Sequence, residues 1–308
     1  MDQRSLGSLR VSQVGLGCNN FGTRLDQDAT TSVVLSALDA GINFFDTADI
    51  YGDLKSEAQL GVALGSRRDE VNIATKFGML HDKSGVSGTP EYVRQCCDES
   101  LRRLGTDVID LYQLHFPDDA TPIAETIGAM QELVAQGKVR EIGCSNLTAA
   151  QLREAAIAAG SGPRFVSVQS QFSLLDRSPE HDGVLDACAE LGISFLPFYP
   201  LANGLLTGKV RPGKPVPEGT RLSSMPDDRK AHWLGERLLS RVDALIAYAD
   251  DQDVSMLTFA FSWLLSHPAV SSVIAGASNA TQVRANADAV GELSSDQLRR
   301  LDELTSVD

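Results

Sequence analysis

The stretch GINFFDTADIYG, residues 41–52, joins an apolar run to a polar exit. Phe44 and Phe45 read as the middle of a buried strand over 43–48, and Asp46 closes the apolar run. Tyr51 follows five residues later, in the loop that leaves the strand. Two further stretches repeat the arrangement: VNIATK (71–76) ends on Lys76, and VIDLYQLH (108–115) ends on His115. Three successive strands with ionisable residues at their C-terminal ends match an α/β barrel, which builds its active site on that face. A phenol beside a cation, a carboxylate and an imidazole is a proton-transfer device. Tyr51 is then the acid, and Lys76 is expected to pull its pKa down toward working pH. Taken singly, Asp46 reads as a turn or helix cap, Lys76 as solvated and His115 as structural. Their joint placement on one edge of one sheet outweighs those readings.

Outward from this centre, strand-like and helix-like segments alternate. Strands are predicted over 14–20, 43–48, 71–77, 108–115, 139–146, 165–172, 193–201 and 271–277. Helices are predicted over 28–40, 56–64, 90–104, 122–136, 148–159, 181–191, 238–250, 255–266 and 279–289. A last amphipathic helix, 294–305, starts at the Ser294/Ser295 cap signal. Eight apolar strands with crossover helices describe a closed parallel (β/α)8 barrel, and the chain reads as one barrel domain over 1–308. The segment SLGSLRVSQVGLG adds two short strands with a turn at Gly7-Ser8, a hairpin suited to plugging the barrel's lower mouth. Residues 202–237 break the rhythm with Pro212, Pro215, Pro217, Pro226 and the charged run 227–230. A long irregular segment reads either as a disordered surface insertion or, given its place on the active face, as a lid.

Composition narrows the function. The 308 residues are 43% hydrophobic and 22% charged, with a net charge of −14. That balance opposes nucleic acid and anionic membrane surfaces, which require a basic face. No apolar run reaches the ~20 residues needed to span a bilayer, and the N-terminus has no signal-peptide core, so a cytoplasmic protein is expected. Cys18, Cys96, Cys97, Cys144 and Cys188 lack metal-site spacing and read as reduced, mostly buried thiols, and no metal is expected. Cys18 and Cys144 lie near strand ends and can approach the site.

Several further motifs stand in order along the chain: Ser56-Glu57, ATKFG (74–78), GKVREIGCSN (137–146), SVQSQFSLLDR (167–177), PLANGLLTGK (200–209) and IAGASNATQVRAN (274–286). With GINFFDTADIYG and DLYQLH they resemble the aldo-keto reductases, from about Val14 to Asn286. The details are similar to the bacterial branch related to potassium-channel β subunits. The resemblance implies an NADPH-dependent reductase acting on a small carbonyl substrate, with NAD as a possible substitute. By motif match Tyr51 is the proton donor, Lys76 lowers its pKa, Asp46 holds Lys76, and His115 orients the carbonyl and helps relay the proton.

The resemblance also implies a cofactor path. Ser145, Asn146 and Gln169 hold the carboxamide, although Ser145-Asn146 also reads as a helix cap before TAAQLREA. Phe198 takes a position where many relatives stack a Tyr. The pyrophosphate lies near Leu201, Gly204, Leu206 and Lys209, and the 2′-phosphate and adenine lie near Gly276 to Asn286. Ser278 and Gln282 stand where NADP-selective relatives often place a cation, leaving Arg284 as the nearby cation in that helix. The loop after Tyr51 reads GDLKSE where many relatives carry a second glycine. There is no GxGxxG fingerprint of a Rossmann fold. Candidate substrate contacts are Phe21, Tyr51, His115, Phe116 and Phe172, with Trp233 reaching in from the lid. Two other functions fit the residues less fully: a cofactor-sensing regulatory subunit, and an aldolase using Lys76 as a Schiff base. Oligomeric state is not readable.

Overall fold

The computed structural model describes residues 1–306. It opens with an antiparallel hairpin, β1 (Gln3–Leu6) and β2 (Leu9–Ser12). Eight parallel strands follow: β3 (Val14–Gly17), β4 (Phe44–Asp46), β5 (Asn72–Phe77), β6 (Ile109–Leu114), β7 (Val139–Ser145), β8 (Phe165–Gln171), β9 (Ser194–Phe198) and β10 (Val273–Gly276). Their order is β10-β3-β4-β5-β6-β7-β8-β9. The remaining seam is bridged just below β10, where Phe195 N–H donates to Ala269 O (2.7 Å) and Ser271 N–H donates to Phe195 O (3.2 Å). The result is the nearly closed (β/α)8 barrel expected from the alternation.

The outer ring consists of α1 (Gln27–Asp39), α2 (Ser56–Leu64), α3 (Pro90–Leu104), α4 (Ile123–Ala135), α5 (Ala149–Ala159), α6 (Ser178–His181), α7 (Val184–Leu191), α8 (Asp227–Trp233), α9 (Glu236–Gln252), α10 (Met256–Ser266), α11 (Ala280–Ala287) and α12 (Ser295–Thr305). Side-chain caps fix several starts. Asp26 accepts from Ala29 N–H, Asn279 accepts from Gln282 N–H, and Thr148 and Ser294 form capping boxes with Gln151 and Gln297. The predicted 181–191 helix is two helices instead, because Gly183 sits at φ +81 and turns the chain between α6 and α7.

Strand periodicity sets the lumen. Residues two apart face the same side. Phe44 and Asp46, Ala74 and Lys76, Leu111 and Gln113, and Leu196 and Phe198 therefore form two stacked inner layers. The lower layer is apolar. Phe44, Ala74, Leu111, Leu196 and Ile274 close with Leu6, Leu9 and Val11 of the hairpin into one buried cluster. The hairpin is thus the predicted plug of the lower mouth. Strand β4 is shorter than predicted because the chain starts to turn at Thr47, although Thr47 N–H still bonds Ala74 O (2.8 Å) and Asp49 N–H bonds Lys76 O (3.0 Å).

The 202–237 segment is less irregular than its prolines suggest. It begins with a 3-10 turn at Ala202–Thr207 and ends with α8. Fully buried Leu205, Leu206 and Leu222 anchor it to the main core.

Candidate active site

The upper inner layer is polar and centred on Asp46. Lys76 Nζ, fully buried, donates to Asp46 Oδ1 (2.8 Å), Asp46 Oδ2 (2.7 Å) and the Thr47 carbonyl (2.8 Å). Gln169 Nε2 donates to Asp46 Oδ1 at 2.9 Å, and Gln113 Nε2 approaches the same oxygen at 3.4 Å. All these donors come from the ends of β5, β6 and β8, in adjoining registers. A buried charge needs this degree of compensation.

Tyr51 stands above the pair, with Lys76 Nζ 5.2 Å from its ring centroid. Its position depends on the next residue. Gly52 has φ +63, and a Cβ there would lie 2.2 Å from the Phe21 carbonyl oxygen, so the turn demands glycine. Lys76 lowers the phenol pKa as expected, but the net shift is upward. Burial is the largest influence and raises it; the Lys76 charge opposes that, Asp46 adds to the rise, and the result lies above the ordinary 10. The phenol is therefore protonated at neutral pH, which is the form an acid must have. The charged form of Lys76 is itself disfavoured by burial, but the charge and hydrogen bonds of Asp46 work against this, and its pKa lies above the ordinary lysine value.

His115 faces Tyr51 edge-on, with ring centroids 5.8 Å apart, and stacks on Phe116 at 5.0 Å. Burial, then the Lys76 charge, push its pKa down to about 3. The imidazole is neutral across the working range, and its Nδ1 is buried without a partner among the described residues. Asn146 Nδ2 donates to the His115 carbonyl (3.0 Å) and to Ser145 Oγ (3.0 Å), while Ser145 Oγ–H donates to the Gln169 carbonyl (2.8 Å). Ser145 and Asn146 are not the cap of α5; Thr148 takes that role.

These residues form the floor of a cavity of about 830 Å³ at the C-terminal face, a volume suited to a large ligand. Its wall includes Asp46, Tyr51, His115, Phe116, Ser145, Asn146, Gln169, Phe198, Leu201, Gly204, Lys209, Gly276, Ser278, Gln282 and Asn286. Lys76 lies beneath the wall. Cys18 is at the edge of the cavity, whereas Cys144 is buried away from it, and all five cysteines are free thiols.

Some expected residues lie elsewhere. Leu206 points into the main core and does not line the cavity, because the 3-10 turn directs it inward. Phe172 packs outside the barrel against Phe195, Trp263 and His267. Phe21 is buried in the main core, and Trp233 packs against that core from α8. Arg284 is exposed on α11 and also lies off the cavity wall.

Other residues were missed. Gln113 is legible afterwards as a polar residue amid apolar neighbours, two positions before His115. Tyr199 and Arg221 had no sequence signal. Tyr199 adopts φ +52, and the Arg221 guanidinium lies 5.1 Å above its ring. Pro217 to Arg221 cover the cavity, and Arg24 Nη2 bonds Ser224 Oγ across its mouth. Arg24, Lys209, Arg221 and Lys83, the last paired with Asp53 (3.1 Å), line it against the carboxylates of Glu218 and the already paired Asp46. This is a cationic island in a chain of net charge −14.

The Aldo/keto reductase family model matches residues 13–306. The chain belongs to the aldo-keto reductase family, and is an oxidoreductase of that family. An uncharacterised oxidoreductase of Bacillus subtilis (strain 168), YqkF, is 35% identical over 317 residues, covering 100% of this chain and 98% of the relative. The holo form of aldo-keto reductase AKR11C1 from Bacillus halodurans superposes with TM-score 0.79 at 32% identity, over 99% of this chain and 97% of that one. The glycerol dehydrogenase AKR11B4 from Gluconobacter oxydans superposes with TM-score 0.84 at 29% identity, over 98% and 94%. Aldo-keto reductases use a nicotinamide cofactor, and the cavity fits one: it is large, cationic and edged by the start of α11. No helix among the described residues is long and apolar enough to cross a membrane.

Proposed function

We propose that this aldo-keto reductase reduces an aldehyde or ketone with NADPH, using Tyr51 as the proton donor. The observation that carries the reading is the Tyr51 phenol on the cavity wall above a buried, fully bonded Lys76–Asp46 pair, with the His115 imidazole opposite.

When bound, the dihydronicotinamide supplies hydride to the carbonyl carbon. Ser145, Asn146 and Gln169 hold its carboxamide, and the Phe198 ring packs on its face. Leu201, Gly204 and Lys209 would hold the pyrophosphate, with Arg221 lining the same cavity, and Gly276, Ser278, Gln282 and Asn286 would hold the adenine end. The phenol Oη–H of Tyr51 gives its proton to the carbonyl oxygen. The Lys76 ammonium stabilises the negative charge that then develops on the phenol oxygen, a preorganised field in a dry site. Asp46 keeps Lys76 charged and in place, and the His115 imidazole orients the carbonyl. Phe116 and Phe198 give the site an apolar wall. Likeness to a glycerol dehydrogenase supports alcohol–carbonyl exchange as the reaction class. The aldolase alternative loses ground, because Lys76 is buried with all three N–H groups engaged. NADPH is preferred modestly, since the α11 end of the cavity offers Ser278 and Gln282 rather than a cation.

Tyr51→Phe tests the central step. A ring of the same shape keeps the packing, so NADPH binding should be nearly unchanged while kcat falls by ~10²–10⁴-fold. Reduction within a few-fold of wild type would remove Tyr51 as the acid.

A further inference from the structure

A second polar cluster lies behind the site, outside the cavity. Asp49 comes from the turn between β4 and α2, His81 from the β5–α3 loop, and Cys96 from the inner face of α3. One ligand atom from each lies within 4.8 Å of the other two. Asp49 is fully buried; its Oδ2 meets His81 Nε2 at 3.2 Å, and its Oδ1 has no hydrogen-bond partner among the described residues. A buried, unpartnered carboxylate oxygen is costly. The neighbouring charges relieve it only in part, since burial and Glu57 oppose the charged carboxylate while His81 and Arg103 favour it. Glu57, also buried, uses its two oxygens on Thr75 and Arg103, and Arg103 turns its remaining reach to Glu99 and Ser100. Tyr92 spends its hydroxyl on the Met79 carbonyl. Three carboxylates, Asp49, Glu57 and Glu99, thus share Arg103 as their one permanently charged partner among the groups named.

We propose that Asp49, His81 and Cys96 bind a divalent transition-metal ion, of the Zn²⁺ class. Donor chemistry selects the class: thiolate with imidazole and carboxylate suits zinc and its neighbours, whereas Mg²⁺ and Ca²⁺ take oxygen donors. Geometry agrees. Bond lengths of about 2.0–2.3 Å in a tetrahedron put ligand atoms roughly 3.3–3.7 Å apart, so the Asp49–His81 separation of 3.2 Å already matches, and Cys96 Sγ, within 4.8 Å of both, closes in by at most about 1 Å. Binding releases the Cys96 thiol proton to solvent, forms the metal–sulfur bond and changes no oxidation state. The His81 side chain is 27% exposed, which gives an entry path and leaves the fourth position to water. The ion ties together three separate segments. One of them carries Tyr51 two residues beyond Asp49, and Asp49 N–H bonds the Lys76 carbonyl at 3.0 Å. The metal is thus a clamp on the corner that positions the phenol, and it takes no part in the proton transfer. Spacing rules for cysteine motifs overlook such a site, because its ligands lie at 49, 81 and 96.

The test uses the full chain, tag-free, reduced and stripped with chelator. It is titrated with Co²⁺ as an optical probe and with Zn²⁺ against a chromophoric chelator. One equivalent of Co²⁺ should bind with a thiolate-to-cobalt charge-transfer band and tetrahedral ligand-field absorption, and Zn²⁺ should displace it and raise Tm. His81→Ala and Cys96→Ala should each weaken binding by about tenfold or more, while Cys97→Ala, one residue away on α3, should not. His81 is at the rim, so its variant carries the test even if Cys96→Ala fails to fold. Absence of the thiolate band in the wild type, or equal affinity in His81→Ala, overturns the proposal. Neither readout depends on reductase turnover.

Discussion

On strand after strand, two residues separate the apolar half of the barrel lumen from the polar half. Below, Phe44, Ala74, Leu111, Leu196 and Ile274 meet the hairpin in a closed cluster. Above, Asp46, Lys76, Gln113, Ser145 and Gln169 form a hydrogen-bonded layer with almost no solvent exposure. The two halves do different work. Each buried aliphatic or aromatic side chain below contributes ~1.5–3 kcal/mol through burial. The ion pair above contributes little net stability, because desolvating two charges costs about what their attraction returns. An apolar pair of matching shape would hold the barrel as well. The upper layer is therefore explained by what it does to a reacting carbonyl, and the lower layer by what it does for the fold.

Lys76→Met should expose this difference most strongly. It keeps much of the stem but removes the charge beneath Tyr51 and leaves Asp46 with Gln169 and Gln113 alone. A neighbouring charge moves a pKa by ~1–3 units, so the rate should fall by roughly 10–10³-fold, with a shifted pH profile of kcat. Asp46→Asn should be milder, since its amide oxygen still accepts from the ammonium. Circular dichroism checks that both fold. If Asp46→Asn were the more damaging at every pH, Asp46 would have to act on the reacting groups itself.

Leu111→Ala is the counterpart one layer down, two residues from Gln113. The expected cost is ~2–5 kcal/mol of unfolding free energy, with kcat and KM per folded molecule unchanged. A lost rate with intact stability would show that the two layers are mechanically coupled.

His115 ties the upper layer to pH. The unfolded imidazole takes up a proton near 6.5, and the folded one resists until about 3. Between those values the unfolded state binds more protons, so this group's contribution to stability falls as pH falls from 6.5 toward 3. His115→Gln lacks that contribution. Its unfolding free energy relative to wild type should therefore improve steadily on acidification below 6.5. In kcat, no ionisation near 6.5 should be traceable to His115; one that disappears in His115→Gln would contradict a neutral, buried imidazole.

Much of this was readable in the sequence because period and position carry it. Apolar runs ending in Asp46, Lys76 and His115 located three strand ends, and β5 and β6 lie within their predicted limits. The hairpin and the Ser294 cap were equally local. What escaped was set by tertiary packing. Phe21 and Phe172 are aromatic residues near strand ends, but their rings turn outward into the core, and no pattern of types distinguishes that from facing a ligand. Leu206 lies within a 3-10 turn whose residues Asn203 and Gly204 have left-handed backbone angles, and that geometry decides which side chains reach the cavity. The direction of the Tyr51 shift depends on burial outweighing a nearby charge, a comparison that needs coordinates.

The smallest effect lies at the bottom of the barrel, where one residue seats the plug. Gly7 turns the hairpin at φ +57, and a Cβ there would lie 2.7 Å from Glu141 Oε1 and 2.9 Å from Val166 Cγ1. Glu141 Oε1 also accepts from Ser8 N–H at 2.7 Å. Gly7→Ala therefore strains a left-handed backbone and pushes away the side chain that holds the turn to β7. Left-handed geometry costs a non-glycine residue ~1–2 kcal/mol, and the Glu141 end is flexible enough to yield without a larger penalty. Urea unfolding should show a lower midpoint with an unchanged slope, since the surface exposed on unfolding is the same. Reductase rates should be unaltered, because Gly7 sits at the opposite end of the barrel from Tyr51. An unchanged midpoint would mean that the hairpin fills the lower mouth without being anchored through its turn. The contrast between the halves would then rest on Leu6, Leu9 and Val11 alone.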